Sequence, residues 1–193
     1  MAIDAVIPCD VSHNEPVFMF IKGGEVHRTD WSVGATKTLG EMWRILPNQF
    51  RSGVDAAARF LPDPPTDGTE YRFIKGDQVV TMKGGFPRKV ANLWETWPDL
   101  PNEFTVGVDA ACFSWILTDW TFFKGDKIYD RLGYMTLEKR FPGWLPSSFN
   151  EGIDAACLIG DGWHMLFKGD EYFYDGLTEK ITHRFPTLPS GWT

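Results

Sequence analysis

Short apolar runs bounded by Gly and Asp recur along the chain, and the stretch from Gly152 to Tyr174, GIDAACLIGDGWHMLFKGDEYFY, shows the pattern whole. Ile153 to Leu158 and Trp163 to Lys168 read as two buried strands, because runs this short with turn residues at both ends suit strands better than helices. Gly169-Asp170 between them and the next run fits a two-residue hairpin turn, where Gly supplies the backbone angle a tight reversal needs. Glu171 to Asp175 is a third strand, and Gly176 to Lys180 a weakly marked fourth. Ile181 and Phe185 follow, four residues apart and so on one helical face, and Pro186 stops that turn.

The same succession occurs four times. The aspartates of the first strand are Asp4, Asp55, Asp109 and Asp154, and the lysines closing the second are Lys22, Lys75, Lys124 and Lys168. A third marker ends each unit: Leu46-Pro47-Asn48-Gln49-Phe50, Leu100-Pro101-Asn102-Glu103-Phe104, Leu145-Pro146-Ser147-Ser148-Phe149 and Leu188-Pro189-Ser190-Gly191-Trp192. The helical pair recurs as Leu39 and Trp43, Leu93 and Trp97, and Leu137 and Phe141. A four-strand unit of this length, with strands buried on both faces, suits a propeller blade. The fold expected is all-β, a four-bladed β-propeller with short helices between blades, forming one domain over 1–193. Its blades lie at about 1–50, 51–104, 105–149 and 150–193. The crowded inner strand takes Ala-Ala in three units, while Phe, Tyr and Trp supply bulk outside.

Composition narrows the function classes. Apolar residues make up 43% and charged residues 23%, which marks a globular chain rather than a disordered one. A net charge of −7 with interspersed signs argues against nucleic acid or an anionic membrane as partner, since both select basic patches. No run approaches the length of a membrane helix and no signal peptide is visible, so a cytoplasmic protein is expected. For catalysis there is no Gly-x-Ser-x-Gly elbow, His-Glu-x-x-His pair, Cys-x-x-Cys or phosphate-cradling loop, and the expectation is a protein that is not an enzyme.

The Asp-Ala-Ala strand, Phe122-Phe123-Lys124-Gly125-Asp126, the Tyr-rich third strand and Phe185-Pro186-Thr187-Leu188-Pro189 resemble haemopexin repeats. The resemblance covers Ile3 to Trp192, sharpest in the third and fourth units and loosest in the first. A lone domain of this size is similar to the plant albumin-2 proteins of legume seeds, which adds a seed or storage compartment as the alternative location. In metalloproteinase members of the family a disulfide joins the first and fourth blades. Cys9 with Cys157 is the candidate bridge that this implies, although a cytosolic setting keeps thiols reduced. Cys112 and Cys157 hold equivalent positions and should lie a blade apart, unbridged.

The resemblance also implies a channel site. Backbone carbonyls of Asp4 and Val6, Asp55 and Ala57, Asp109 and Ala111, and Asp154 and Ala156 would line the channel and hold an ion. Residues i and i+2 present equivalent groups on one side of a strand, and a ring of oxygens suits a hard cation, calcium or sodium, with chloride at another level. The competing reading is that each Asp caps its strand locally and the channel holds water. Spermine at the channel mouth and haem are the further ligands implied, with His13 or His27 the residues for haem and a homodimer the implied assembly. Trp31, Trp120 and Trp163 repeat less strictly than the other aromatics and are expected at the surface, for sugar stacking. The Lys-Gly-Asp tripeptide reads as a turn, not an adhesion motif. The reading is a non-enzymatic binding protein holding an ion or small ligand. A glycan-binding lectin (haemagglutinin) and a storage or protein-interaction scaffold are the alternatives.

Overall fold

The computed structural model describes residues 2–10, 16–60, 69–114, 118–159 and 163–192. Four antiparallel sheets, each of four consecutive strands, form the blades. The first holds β1 (Ala5–Asp10), β2 (Val17–Lys22), β3 (Glu25–Arg28) and β4 (Lys37–Thr38), followed by helical turns α1 (Leu39–Met42) and α2 (Asn48–Arg51). The second holds β5 (Ala56–Phe60), β6 (Glu70–Lys75), β7 (Gln78–Lys83) and β8 (Phe86–Asn92), then α3 (Leu93–Thr96). The third holds β9 (Ala110–Ser114), β10 (Asp119–Lys124), β11 (Lys127–Asp130) and β12 (Gly133–Thr136), then α4 (Leu137–Arg140) and α5 (Ser147–Asn150). The fourth holds β13 (Ala155–Ile159), β14 (Trp163–Lys168), β15 (Glu171–Tyr174) and β16 (Leu177–Lys180), then α6 (Ile181–Arg184). None of the described helices is long and apolar enough to cross a membrane.

The inner strands β1, β5, β9 and β13 pack around a central axis, each beside two others. Their alternating side chains enter opposite seams between blades, as period-two geometry requires. Ala57 faces the first seam with Ala5 and Ile7, while Ala56 and Ala58 face the second with Ala111. Burial on both faces explains why these strands read as continuous apolar runs. The helical turns cap cleanly: Thr38 and Glu41, and Asn92 and Glu95, form capping boxes that satisfy otherwise orphaned N–H groups. The hairpin glycines Gly23, Gly76, Gly125 and Gly169 all have φ between 51° and 59°, the left-handed conformation a Lys-Gly-Asp turn needs.

The ring closes without a covalent link. Cys9 packs against the seam between blades one and two, whereas Cys157 lies in the seam between blades four and one, and the two thiols are not joined. The bridge expected from the family resemblance is therefore absent, because the two residues point into different layers. Closure rests instead on Phe18, Phe20, Phe167 and Phe185, on Lys22 Nζ donating to the carbonyls of Gly191 (2.8 Å) and Trp192 (2.9 Å), and on the Gly34 N–H donating to the Thr187 carbonyl (2.9 Å). Burial raises the thiols of Cys112 and Cys157 well above the usual range, which keeps them protonated.

Candidate functional site at the channel mouth

The chain begins each inner strand with an aspartate, so fourfold repetition places Asp4, Asp55, Asp109 and Asp154 around one end of the channel. Each backbone N–H donates to the second strand of its own blade, at 2.8–2.9 Å. Each Oδ2 accepts from the glycine N–H of the hairpin turn, namely Gly23, Gly76, Gly125 and Gly169, at 2.5–2.7 Å. The local capping considered from sequence is thus real, and it spends one carboxylate oxygen per blade. The lysines of the same turns are also engaged: Lys75 Nζ donates to Ser52 Oγ (2.9 Å), Lys124 Nζ to the Gly107 carbonyl (2.7 Å), and Lys168 lies 3.6 Å from Asp154 Oδ1.

These groups border a funnel of about 650 Å³, lined also by Ile3, Val54 and Val108. Burial raises the Asp4 carboxyl above the ordinary range; the Gly23 N–H and Lys22 pull it back, and the like charges of Asp55 and Asp154 push it further up. The charges of Asp55 and Asp154 thus reach Asp4 from the neighbouring blades, as the weakest of these influences. Val6, Ala57, Ala111 and Ala156 sit two residues deeper, with their side chains in the seams. The inner strands are paired on one side only, so the backbone polar groups of the other edge face the axis. Among the described residues no three His, Cys, Asp or Glu side chains are grouped tightly enough to hold a metal ion. The groups at this edge that could hold a cation are backbone oxygens, with the carboxylates beside them adding negative field.

The remaining sequence-selected residues are scattered. His13 lies outside the described residues. His27, a haem candidate, is completely buried: Nδ1 meets the Ala35 carbonyl at 2.7 Å and Nε2 meets Thr187 Oγ1 at 3.1 Å. Nδ1 is committed within blade one and Nε2 across the closing seam, so the ring has no nitrogen left for iron. Trp120, expected at the surface, is only 7% exposed and wedged among Trp97, Phe113 and Phe122. It occupies the inter-blade core because the position four before the strand-ending lysine faces a seam in every blade. Trp31 is half-buried beside His27 and under the Lys37 ammonium. Trp163 is surface-exposed as expected, and it stacks on a more exposed tryptophan that the sequence pattern did not single out, Trp144, with centroids 6.3 Å apart and planes 18° from parallel.

No protein-family model and no curated protein sequence matches the chain. Solved structures do. A hemopexin fold protein from cow pea superposes with a TM-score of 0.76 at 20% identity, over 96% of this chain and 96% of that one. The chain has the haemopexin fold. A 2S albumin seed protein from Dolichos shares the haemopexin-fold arrangement with a TM-score of 0.77 at 19% identity, over 97% of both chains. A plant lectin with two metal binding sites from Cicer arietinum gives 0.75 at 17% identity, over 97% of this chain and 96% of that one. Near end-to-end coverage in each case assigns all four blades to the haemopexin fold.

Proposed function

We propose that the chain is a non-enzymatic binding protein that holds a cation at the acidic end of its central channel. The observation carrying this reading is the convergence of four aspartates from equivalent strands, Asp4, Asp55, Asp109 and Asp154, on the lining of one funnel. Charge crowding of this kind costs stability and persists where something offsets it. A hard cation, calcium or sodium, coordinated by the carbonyls of Asp4, Asp55, Asp109 and Asp154 and of the residues two further on, would do so. The charged ends of a linear polyamine such as spermine would do the same from the funnel, and the two metal sites of the lectin from Cicer arietinum are in keeping with an ion-holding role on this fold.

Asp4→Asn separates a ligand-binding role from a structural one. A raised native value means the folded chain holds the Asp4 proton more readily than the unfolded chain. Ionisation therefore removes stability as pH rises through the native value, and at neutral pH the cost is fully present. Asn keeps an acceptor for the Gly23 N–H and carries no charge. In cation-free buffer at neutral pH its Tm should equal or exceed that of the parent, while its affinity for calcium or spermine falls roughly tenfold. A variant with lowered Tm and unchanged affinity for calcium, sodium and spermine would count against the reading.

One observation favours a second reading, glycan binding. Trp144 (55% exposed) and Trp163 (43% exposed) form a stacked pair that offers a platform for the apolar face of a sugar. Haemagglutination that a simple sugar inhibits, and that Trp144→Ala abolishes, would move the function to that surface.

A further inference from the structure

Four repeats give every seam three internal controls. Counting four residues back from the strand-ending lysine gives Phe18, Tyr71, Trp120 and His164. In each seam this ring meets the aromatic residue that follows the helical turn of the previous blade: Tyr71 meets Trp43, Trp120 meets Trp97, Phe18 meets Phe185, and His164 meets Phe141. The seam between blades three and four is thus the one in which a polar imidazole replaces a large apolar ring.

The change does not stop at His164. The described chain buries four polar or charged residues, and three of them, Ser114, Thr121 and Asp130, lie in this seam. With Arg140, Arg131 and His164 they line a cavity of about 70 Å³. Asp130 is spent: Oδ1 accepts from the Leu132 N–H and Oδ2 from Arg140 Nε, both at 2.8 Å. Thr121 lies opposite Cys112 across the β9–β10 pair, and Asp119, also in the lining, accepts from the Trp120 N–H. What remains is nitrogen without a protein partner: arginine groups that can only donate, and an imidazole nitrogen that donates in its Nε2–H tautomer or when protonated. His164 Nε2 is shielded from solvent and has no partner. The terminal amino groups of Arg140 and the guanidinium of Arg131 make no hydrogen bond among the described residues. A buried ring nitrogen without a partner is costly and calls for an occupant that can meet it.

Donors without acceptors select a guest that brings acceptors. A cavity of about 70 Å³ holds roughly two waters or one anion of four heavy atoms. We propose that this seam pocket binds a small oxyanion of acetate or bicarbonate size, gripped by Arg140, Arg131 and His164 Nε2. The charges of Asp119, Asp130, Arg131 and Arg140 balance, so an anion adds one negative charge that protonation of His164 can offset. Burial, followed by Arg140, holds that imidazole down at about 4 against the opposing pull of Asp130. A bound anion would raise it, so acetate binding should tighten as pH falls from 7 towards 5.5, a range in which acetate stays ionised while bicarbonate is lost as carbon dioxide.

The test compares sodium acetate, sodium bicarbonate and sodium phosphate with sodium chloride at equal ionic strength. Acetate or bicarbonate should raise the Tm by several degrees and saturate, phosphate should do less because of its size, and the ¹⁵N shift of His164 Nε2 should follow the same curve. His164→Phe restores the ring found in the closing seam. It should fold with an equal or higher Tm in chloride and show no acetate or bicarbonate response. Arg131→Gln, at an exposed position, should leave the Tm in chloride unchanged and weaken binding about tenfold. A flat response of the parent to both small oxyanions, showing a pocket that holds only water, overturns the proposal. So does an equal response in His164→Phe.

Discussion

Phe20→Ala should cost about 4 kcal/mol, the largest loss expected from a single side chain in the closing seam. Phe20 has no exposed surface and meets Phe185 at 4.8 Å and Phe167 at 5.8 Å between ring centroids, with Phe18 alongside at 6.4 Å. Phe18 and Phe20 lie on β2 of blade one, Phe167 on β14 of blade four and Phe185 just after α6, so the rings substitute for a covalent clasp. Truncation removes the buried ring surface and leaves a void that its three ring neighbours cannot fill. For a chain of this length the loss corresponds to roughly 8–16 °C in Tm. Urea unfolding should show a lower midpoint with an unchanged slope, since the blades still unfold together. A loss below about 1 kcal/mol would mean that the lysine and backbone hydrogen bonds alone close the ring.

Gly53→Ala should cost about 3 kcal/mol, through backbone rather than core. Gly53 has φ +134°, and a Cβ there would lie 3.1 Å from the Gly23 carbonyl oxygen in the hairpin turn of the preceding blade. Gly107 and Gly152 repeat the contact against Gly76 and Gly125, both at 3.3 Å, so the start of each blade after the first rests on the turn before it. Both partners are backbone and cannot swing aside. Gly84→Ala supplies the control: φ is +57° and open space surrounds the position, so only the conformational cost of about 1–2 kcal/mol remains. The excess at Gly53, read by thermal or urea unfolding, combines the blade-to-blade contact with the extra cost of φ +134°, a region almost reserved for glycine. Equal losses at the two glycines would show that the contact carries no energy.

The sequence made the architecture legible because the same Asp, Lys and Leu-Pro markers recur in fixed order, and each has a visible physical task. The aspartate caps the hairpin turn, the lysine closes the start of its blade, and the Leu-Pro segment delivers Phe50, Phe104 and Phe149 to the core. Facing was much less legible. A blade strand buried on both sides carries no polar face to betray its orientation, so Trp120 looked like a surface residue when it belongs to a column of seam residues. His27 misled for the opposite reason: a polar ring was read as a ligand when both nitrogens are satisfied within the seam. The fourth strands were faint because they lie at the rim; β16 is exposed throughout and β4 has two residues.

The seam pocket shows how the same repeats could have revealed more. Aligned on the lysines, His164 stands alone in a column of Phe, Tyr and Trp, a departure visible without coordinates. Asp130, Arg140 and Ser114 are invisible by that route, because none of them belongs to a repeated marker. Their meeting depends on how β9, β11 and α4 converge against blade four. The channel mouth is the reverse case: the aspartates were evident from spacing, but their partial capture by turn glycines and their mutual repulsion needed the folded arrangement.

Anomalous diffraction from crystals grown in calcium tests the channel reading most directly. The expected result is a single peak on the channel axis, bounded by carbonyl oxygens of Asp4, Asp55, Asp109 and Asp154 or of Val6, Ala57, Ala111 and Ala156, at calcium–oxygen distances of about 2.3–2.6 Å. A channel that shows no anomalous peak at saturating calcium, and only water density with sodium or spermine in its place, would contradict it.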